Sequence, residues 1–127
     1  MNPSMKIVWS FLVTAAFVAA VGCNREPSGA ARAQMSDAEL GLTAQPAAGR
    51  RLYNQHCLVC HEAYSATDRN GPSLAGFYQK KFMVSGQPVN DERVRDIIVL
   101  GRSKMPAFGG QLSDEQIAAV ISYMKTL

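Results

Sequence analysis

An all-α fold is what this sequence predicts, on three grounds. Several stretches carry apolar residues at helical spacing, those stretches begin and end on capping residues, and no alternating apolar-polar run or short hairpin turn competes with them. The chain has no internal repeat. At 127 residues, part of which reads as a targeting segment, it has room for one domain of roughly 80 residues. A core that small usually needs a staple. The three cysteines do not suit a disulfide scaffold, because Cys23 lies far upstream while Cys57 and Cys60 are three positions apart. A bound cofactor, acting as core and staple together, suits the chain better.

Residues Met1 to Gly22 read as a secretory signal: Lys6 is the basic residue, Ile7 to Val21 is a continuous apolar run, and small residues close it. The run is short for a transmembrane helix, which needs about 20 apolar residues, so a retained anchor is the alternative. Ala20-Val21-Gly22-Cys23 resembles the lipobox of bacterial lipoproteins, which implies a diacylglyceryl group on Cys23 and cleavage ahead of it. Conventional cleavage near Ala31-Arg32-Ala33 would lie well beyond the apolar run. From Cys23 to Gln45 the chain is polar, rich in Ala, Gly and Ser and free of aromatics, a composition that buries too little to order itself. It is expected to be a lipid-anchored flexible tether. Some 22 residues would span roughly 25 Å on average and about 75 Å when stretched.

The folded domain is expected at residues 46–127, with three helices. Pro46 suits the first turn of a helix reaching about Cys57, with Leu52 and Tyr53 facing inward. A second helix has Asn90 as N-cap, Asp91 and Glu92 in its first turn, an apolar stripe of Val94, Ile97 and Ile98, and Gly101 as its stop. The third is signalled most strongly. Ser113 with Gln116 makes a capping box, Leu112 with Ile117 a hydrophobic staple, and Ile117, Val120, Ile121 and Met124 share one face.

Cys57-Leu58-Val59-Cys60-His61 carries the chemistry, because C-x-x-C-H is the attachment site of c-type haem. The spacing lets each thiol form a thioether to one haem vinyl group, and the next residue then holds its imidazole under the iron. Competing readings lack parts. A structural zinc site normally needs four ligands, and beyond this cluster the only other Cys or His residues are Cys23 and His56. A thioredoxin-like pair needs a βαβ setting, and a Cys57–Cys60 disulfide would close too small a loop to stabilise much.

The sixth iron position decides between electron transfer and ligand chemistry. Met83, Met105 and Met124 are its candidates. Met124 lies on the apolar face of a helix, where methionine is usually core, and Met83 sits in a polar stretch. Met105, before Pro106 in a Gly-containing loop between two helices, is free of helical constraints and is preferred.

Gly49-x-x-x-Tyr53-x-x-x-Cys57, the C-x-x-C-H run, Gly71-Pro72-x-Leu74-x-Gly76, Met105-Pro106-x-Phe108 and a closing helix with Tyr123 together resemble a class I cytochrome c, over about Ala47 to Leu127. The resemblance implies three to four helices wrapped around one covalently bound haem. It also implies a first and last helix crossing closely, with Gly49 and Tyr53 against Val120 and Tyr123. A carbonyl at Pro72 would orient His61 through its second nitrogen, and Met105 would be the distal ligand. Two features depart from the pattern: residues 79–88 match no loop of the family, and the folded part has no tryptophan, Trp9 being in the signal. Tyr78, Arg69 and Arg102 are open candidates for the haem propionates.

These readings imply a monomeric periplasmic electron carrier, not an enzyme, which exchanges single electrons with a donor and an acceptor protein and touches the membrane through its N-terminal lipid. The rival classes are a haem enzyme or gas sensor with a displaceable Met105, and a fixed electron-relay subunit of an oxidoreductase complex. Nucleic acid is not an expected partner. Removing the signal takes away Lys6 and leaves twelve basic against ten acidic residues, and pairs such as Arg50-Arg51 and Lys80-Lys81 read as solvated faces.

Overall fold

A computed structural model describes residues 26–127. The signal segment 1–22 and Cys23 lie outside the described residues. The described residues form four α-helices and one 3-10 turn: α1 (Gly29–Gln34), α2 (Ala44–His56), the 3-10 turn (Phe77–Gln79), α3 (Asp91–Leu100) and α4 (Asp114–Met124). No strand forms among the described residues.

The three expected helices follow their local signals. α2 takes Pro46 into its first turn and ends with Cys57 as C-cap, whose N–H reaches the Tyr53 carbonyl. In α3, the Asn90 side chain accepts from Arg93 N and Gly101 closes the helix at φ 72°. α4 has the full capping box between Ser113 and Gln116. Leu112 and Ile117 are both buried beside it, as a staple requires.

The most extensive helix contact is the crossing of α2 and α4. Its closeness depends on Gly49, where a Cβ would stand 1.9 Å from the Ala119 carbonyl oxygen and 3.0 Å from Tyr123 Cβ. Only a residue without a side chain lets the two backbones approach so far. Ala119, one position before the expected Val120, therefore supplies the closest contact. Tyr53 and Tyr123, both fully buried, meet edge to face with ring centroids 5.3 Å apart. α3 packs on α4 and is tied to it by Asp91–Lys125 at 2.5 Å and Arg95–Asp114 at 2.7 Å. Those pairs are exposed and each contributes about 1 kcal/mol at most. Cohesion comes from Val94, Ile98, Phe108, Leu112, Ile117, Val120, Ile121 and Met124, which form one buried cluster with Tyr53, Leu74 and Tyr123.

The segment expected as a tether folds differently from that expectation. Residues 28–42 lie on the domain as a strap. Ser28 caps α1 by accepting from Ala31 N, and Arg32 sits 5.1 Å above the Tyr64 ring. Arg50 donates to Asp37 Oδ1 at 2.9 Å and to the Ala33 carbonyl at 3.2 Å, and Leu42 packs against the core. Composition alone missed this, because the docking groups belong mainly to the other side: Arg50, Tyr64 and the apolar floor. Residues 81–89 hold a small excursion, closed by a Phe82–Pro88 bridge and a turn at Gly86.

Candidate functional site

Helix α2 delivers the C-x-x-C-H residues. Its last turn runs directly into a second one, in which Cys60 N and His61 N both donate to the Cys57 carbonyl, at 3.0 and 2.9 Å. Cys57 and Cys60 are free thiols, both partly buried. Burial, with a smaller effect of the neighbouring Cys60, pushes the Cys57 thiol up to about 11. A thiol held protonated in apolar surroundings is the reverse of the activated thiolate of a thioredoxin-like pair. Among the described residues no three or more His, Cys, Asp or Glu side chains cluster to hold a metal ion.

His61 is held from several directions. Its Nδ1 lies 2.7 Å from the Pro72 carbonyl oxygen. A carbonyl only accepts, so Nδ1 carries the proton and Nε2 keeps its lone pair for a metal. Gly71 lies against the ring, where a Cβ would come 2.5 Å from His61 Cε1. Gly71 N donates to the Cys60 carbonyl at 2.9 Å, which fixes that close approach. On the main-chain side, the Tyr53 hydroxyl donates to the His61 carbonyl at 2.9 Å.

Met105 stands on a separate element. Arg102 and Met105 exchange two backbone hydrogen bonds, at 3.0 and 2.9 Å, around a turn with Ser103 at φ 52°. Gly101 supports this turn from beneath, since its Cβ would meet the Met105 carbonyl oxygen at 2.7 Å. The partly buried Met105 packs against the core. Phe108 N and Gly109 N bond to the carbonyls of Ile98 and Val99, which fastens the loop to the end of α3. The His56 and Phe108 rings lie 5.8 Å apart, so the loop also meets the end of α2. Of the other methionines, Met124 is buried in α4 and Met83 belongs to the 81–89 excursion.

The residues present fit a covalent haem. Two unpaired thiols lie on one turn, an imidazole is fixed by the Pro72 carbonyl at Nδ1, and a partly buried methionine thioether packs against the hydrophobic core. The propionate candidates diverge. Arg69 is engaged with the Glu62 carboxylate and the Leu58 carbonyl. Arg102 is exposed on the Met105 turn. Tyr78 has a buried hydroxyl with no hydrogen-bond partner, and its ring lies beneath Lys125 Nζ at 5.6 Å. Residue-type reasoning missed the Tyr53–His61 bond and the Gly71 and Gly101 contacts. Their signals were present, as a tyrosine one helical turn before Cys57 and glycines beside Pro72 and before the Met105 turn.

Comparison with known proteins agrees with this geometry. The family model described as "Cytochrome C oxidase, cbb3-type, subunit III" matches residues 44–124, well over half of the chain. Cytochrome c6 of Leptolyngbya boryana is 30% identical over 81 residues, covering 64% of this chain and 91% of that protein. Cytochrome c2 iso-1 of Magnetospirillum molischianum is 29% identical over 93 residues, covering 59% and 92%. The crystal structure of cytochrome c6 from the diatom Phaeodactylum tricornutum matches with a TM-score of 0.50 at 30% identity, over 62% of this chain and 88% of that one. The thiol pair, the fixed imidazole and the shared fold point the same way, and the chain belongs to this cytochrome c family as a class I c-type cytochrome, an electron-transfer protein with covalently bound haem c.

Proposed function

We propose that Cys57 and Cys60 bind a single haem c through thioethers, that His61 and Met105 are its axial ligands, and that the protein passes single electrons between donor and acceptor proteins at the periplasmic face of a bacterial membrane. The observation that carries the ligation is the 2.7 Å contact between His61 Nδ1 and the Pro72 carbonyl, which presents Nε2 as a ligand. Haem c supplies a one-electron couple whose potential is raised by a methionine axial ligand. With Met105 as the second ligand, no iron position would be left open to substrates, which disfavours an enzyme or gas sensor.

The anchor in this reading is a lipid on Cys23. Two or more acyl chains hold a protein stably at a membrane, whereas one gives marginal binding. Among the described residues no helix is long and apolar enough to cross a membrane. Because the strap is docked from Ser28 onward, only residues 23–27 separate the lipid from the folded body, a span of at most about 17 Å. This supports a second reading, a relay held close to a membrane-resident partner, over a carrier on a long tether. Mass spectrometry of the purified N-terminus tests the anchor, with a diacylglyceryl Cys23 expected. A free N-terminus at or beyond Gln34, or an intact Met1 without lipid, would refute it.

A further inference from the structure

We infer that Tyr53 is a positioning residue for the axial histidine, acting on its main chain while Pro72 acts on its ring; the inference rests on the proposed ligation by His61. Tyr53 is fully buried in α2, and its hydroxyl donates to the His61 carbonyl at 2.9 Å. The hydroxyl is itself fixed. The Tyr53 ring stands edge to face on Tyr123, whose hydroxyl donates to Tyr64 at 2.7 Å.

The consequence follows from what else holds His61. The thioether turn fixes its N–H on the Cys57 carbonyl, and Pro72 and Gly71 fix the ring. The carbonyl is the remaining point from which the main chain could twist, and twisting it turns the imidazole plane. A partly buried carbonyl that loses its donor is also left less well compensated. Its negative end then stabilises the more positive ferric state, so loss of the hydroxyl should lower the reduction potential.

The test compares Tyr53→Phe with Tyr123→Phe in the full-length holoprotein. Each removes one hydroxyl and keeps its ring, but only the first touches His61. For Tyr53→Phe we expect the redox equilibrium to shift toward the oxidised form by about two- to tenfold, the range of a lost hydrogen bond. The low-spin ferric electron paramagnetic resonance signal, which reports the imidazole plane, should shift or broaden. Tyr123→Phe should lower the thermal midpoint with both readouts unchanged. Unchanged potential and signal in Tyr53→Phe, or equal changes in both variants, would overturn the inference. A His61→Ala variant that keeps the wild-type spectrum would instead refute the ligation itself, which separates the two failures.

Discussion

The two residues proposed as axial ligands of the haem are supported in opposite ways. On the His61 side, the thiols, the ligand and its supports fall within 57–72, and Tyr53 adds a contact from one helical turn earlier. The supports reach the backbone N–H, the ring nitrogen, the ring face and the carbonyl. On the Met105 side a single side chain projects from a four-residue turn, held by two backbone bonds and seated on Gly101, with the loop fastened to α3 only further on, at Phe108 and Gly109. One side is over-determined and the other rests on one turn. Loss of one support on the His61 side should therefore change the potential and the imidazole orientation with the ligand still bound, whereas the Met105 side should exchange, open or fail first.

The largest expected effect breaks the covalent side. Cys57→Ala or Cys60→Ala leaves one thioether at most, and the yield of protein whose haem survives acid-organic extraction should fall several-fold, with the double variant yielding none. Next comes the open side. Met105→Ala should lower the potential by at least a tenfold shift in the redox equilibrium, about 59 mV for one electron. It should also abolish the thioether-iron charge-transfer band and admit carbon monoxide. If Met83→Ala does this instead, the distal ligand has been assigned to the wrong loop.

Smaller substitutions sharpen the contrast. At Gly71 a Cβ would sit 2.5 Å from the His61 ring, so Gly71→Ala should cost about 1–3 kcal/mol by denaturant unfolding, with haem still attached. Gly101→Ala meets backbone at 2.7 Å at a φ of 72°. Its effect should appear less in stability than in faster binding of external ligands, because the strain is delivered to the Met105 turn. The smallest effect concerns the strap. Arg50→Ala removes its links to Asp37 and Ala33 and should cost about 1 kcal/mol, raising amide exchange across residues 28–42 while the visible spectrum stays the same.

The sequence disclosed most where the physics is local. The capping box of Ser113 and Gln116, the Asn90 cap and the C-x-x-C-H spacing each depend on neighbours within four residues, and each could be read directly. The approach of α2 to α4 through Gly49 and the orienting carbonyl of Pro72 were legible only through the family resemblance, since both depend on partners distant in the chain. The strap was misread because polar composition says nothing about Arg50 and Tyr64 waiting on the domain. Tyr53 was placed correctly as a buried residue, but its hydroxyl partner could not be read from helical periodicity, which describes faces and not the far end of a side chain.

The central claim is a haem closed on both sides and used only for electrons. Potentiometric titration of the purified wild-type protein, followed by its visible spectrum with and without carbon monoxide, tests this most directly. The account predicts one single-electron transition and a thioether-iron band in the oxidised form, with a reduced spectrum and midpoint that carbon monoxide leaves unchanged. Ready binding of carbon monoxide by the reduced wild type, with a midpoint displaced by the gas, would contradict it.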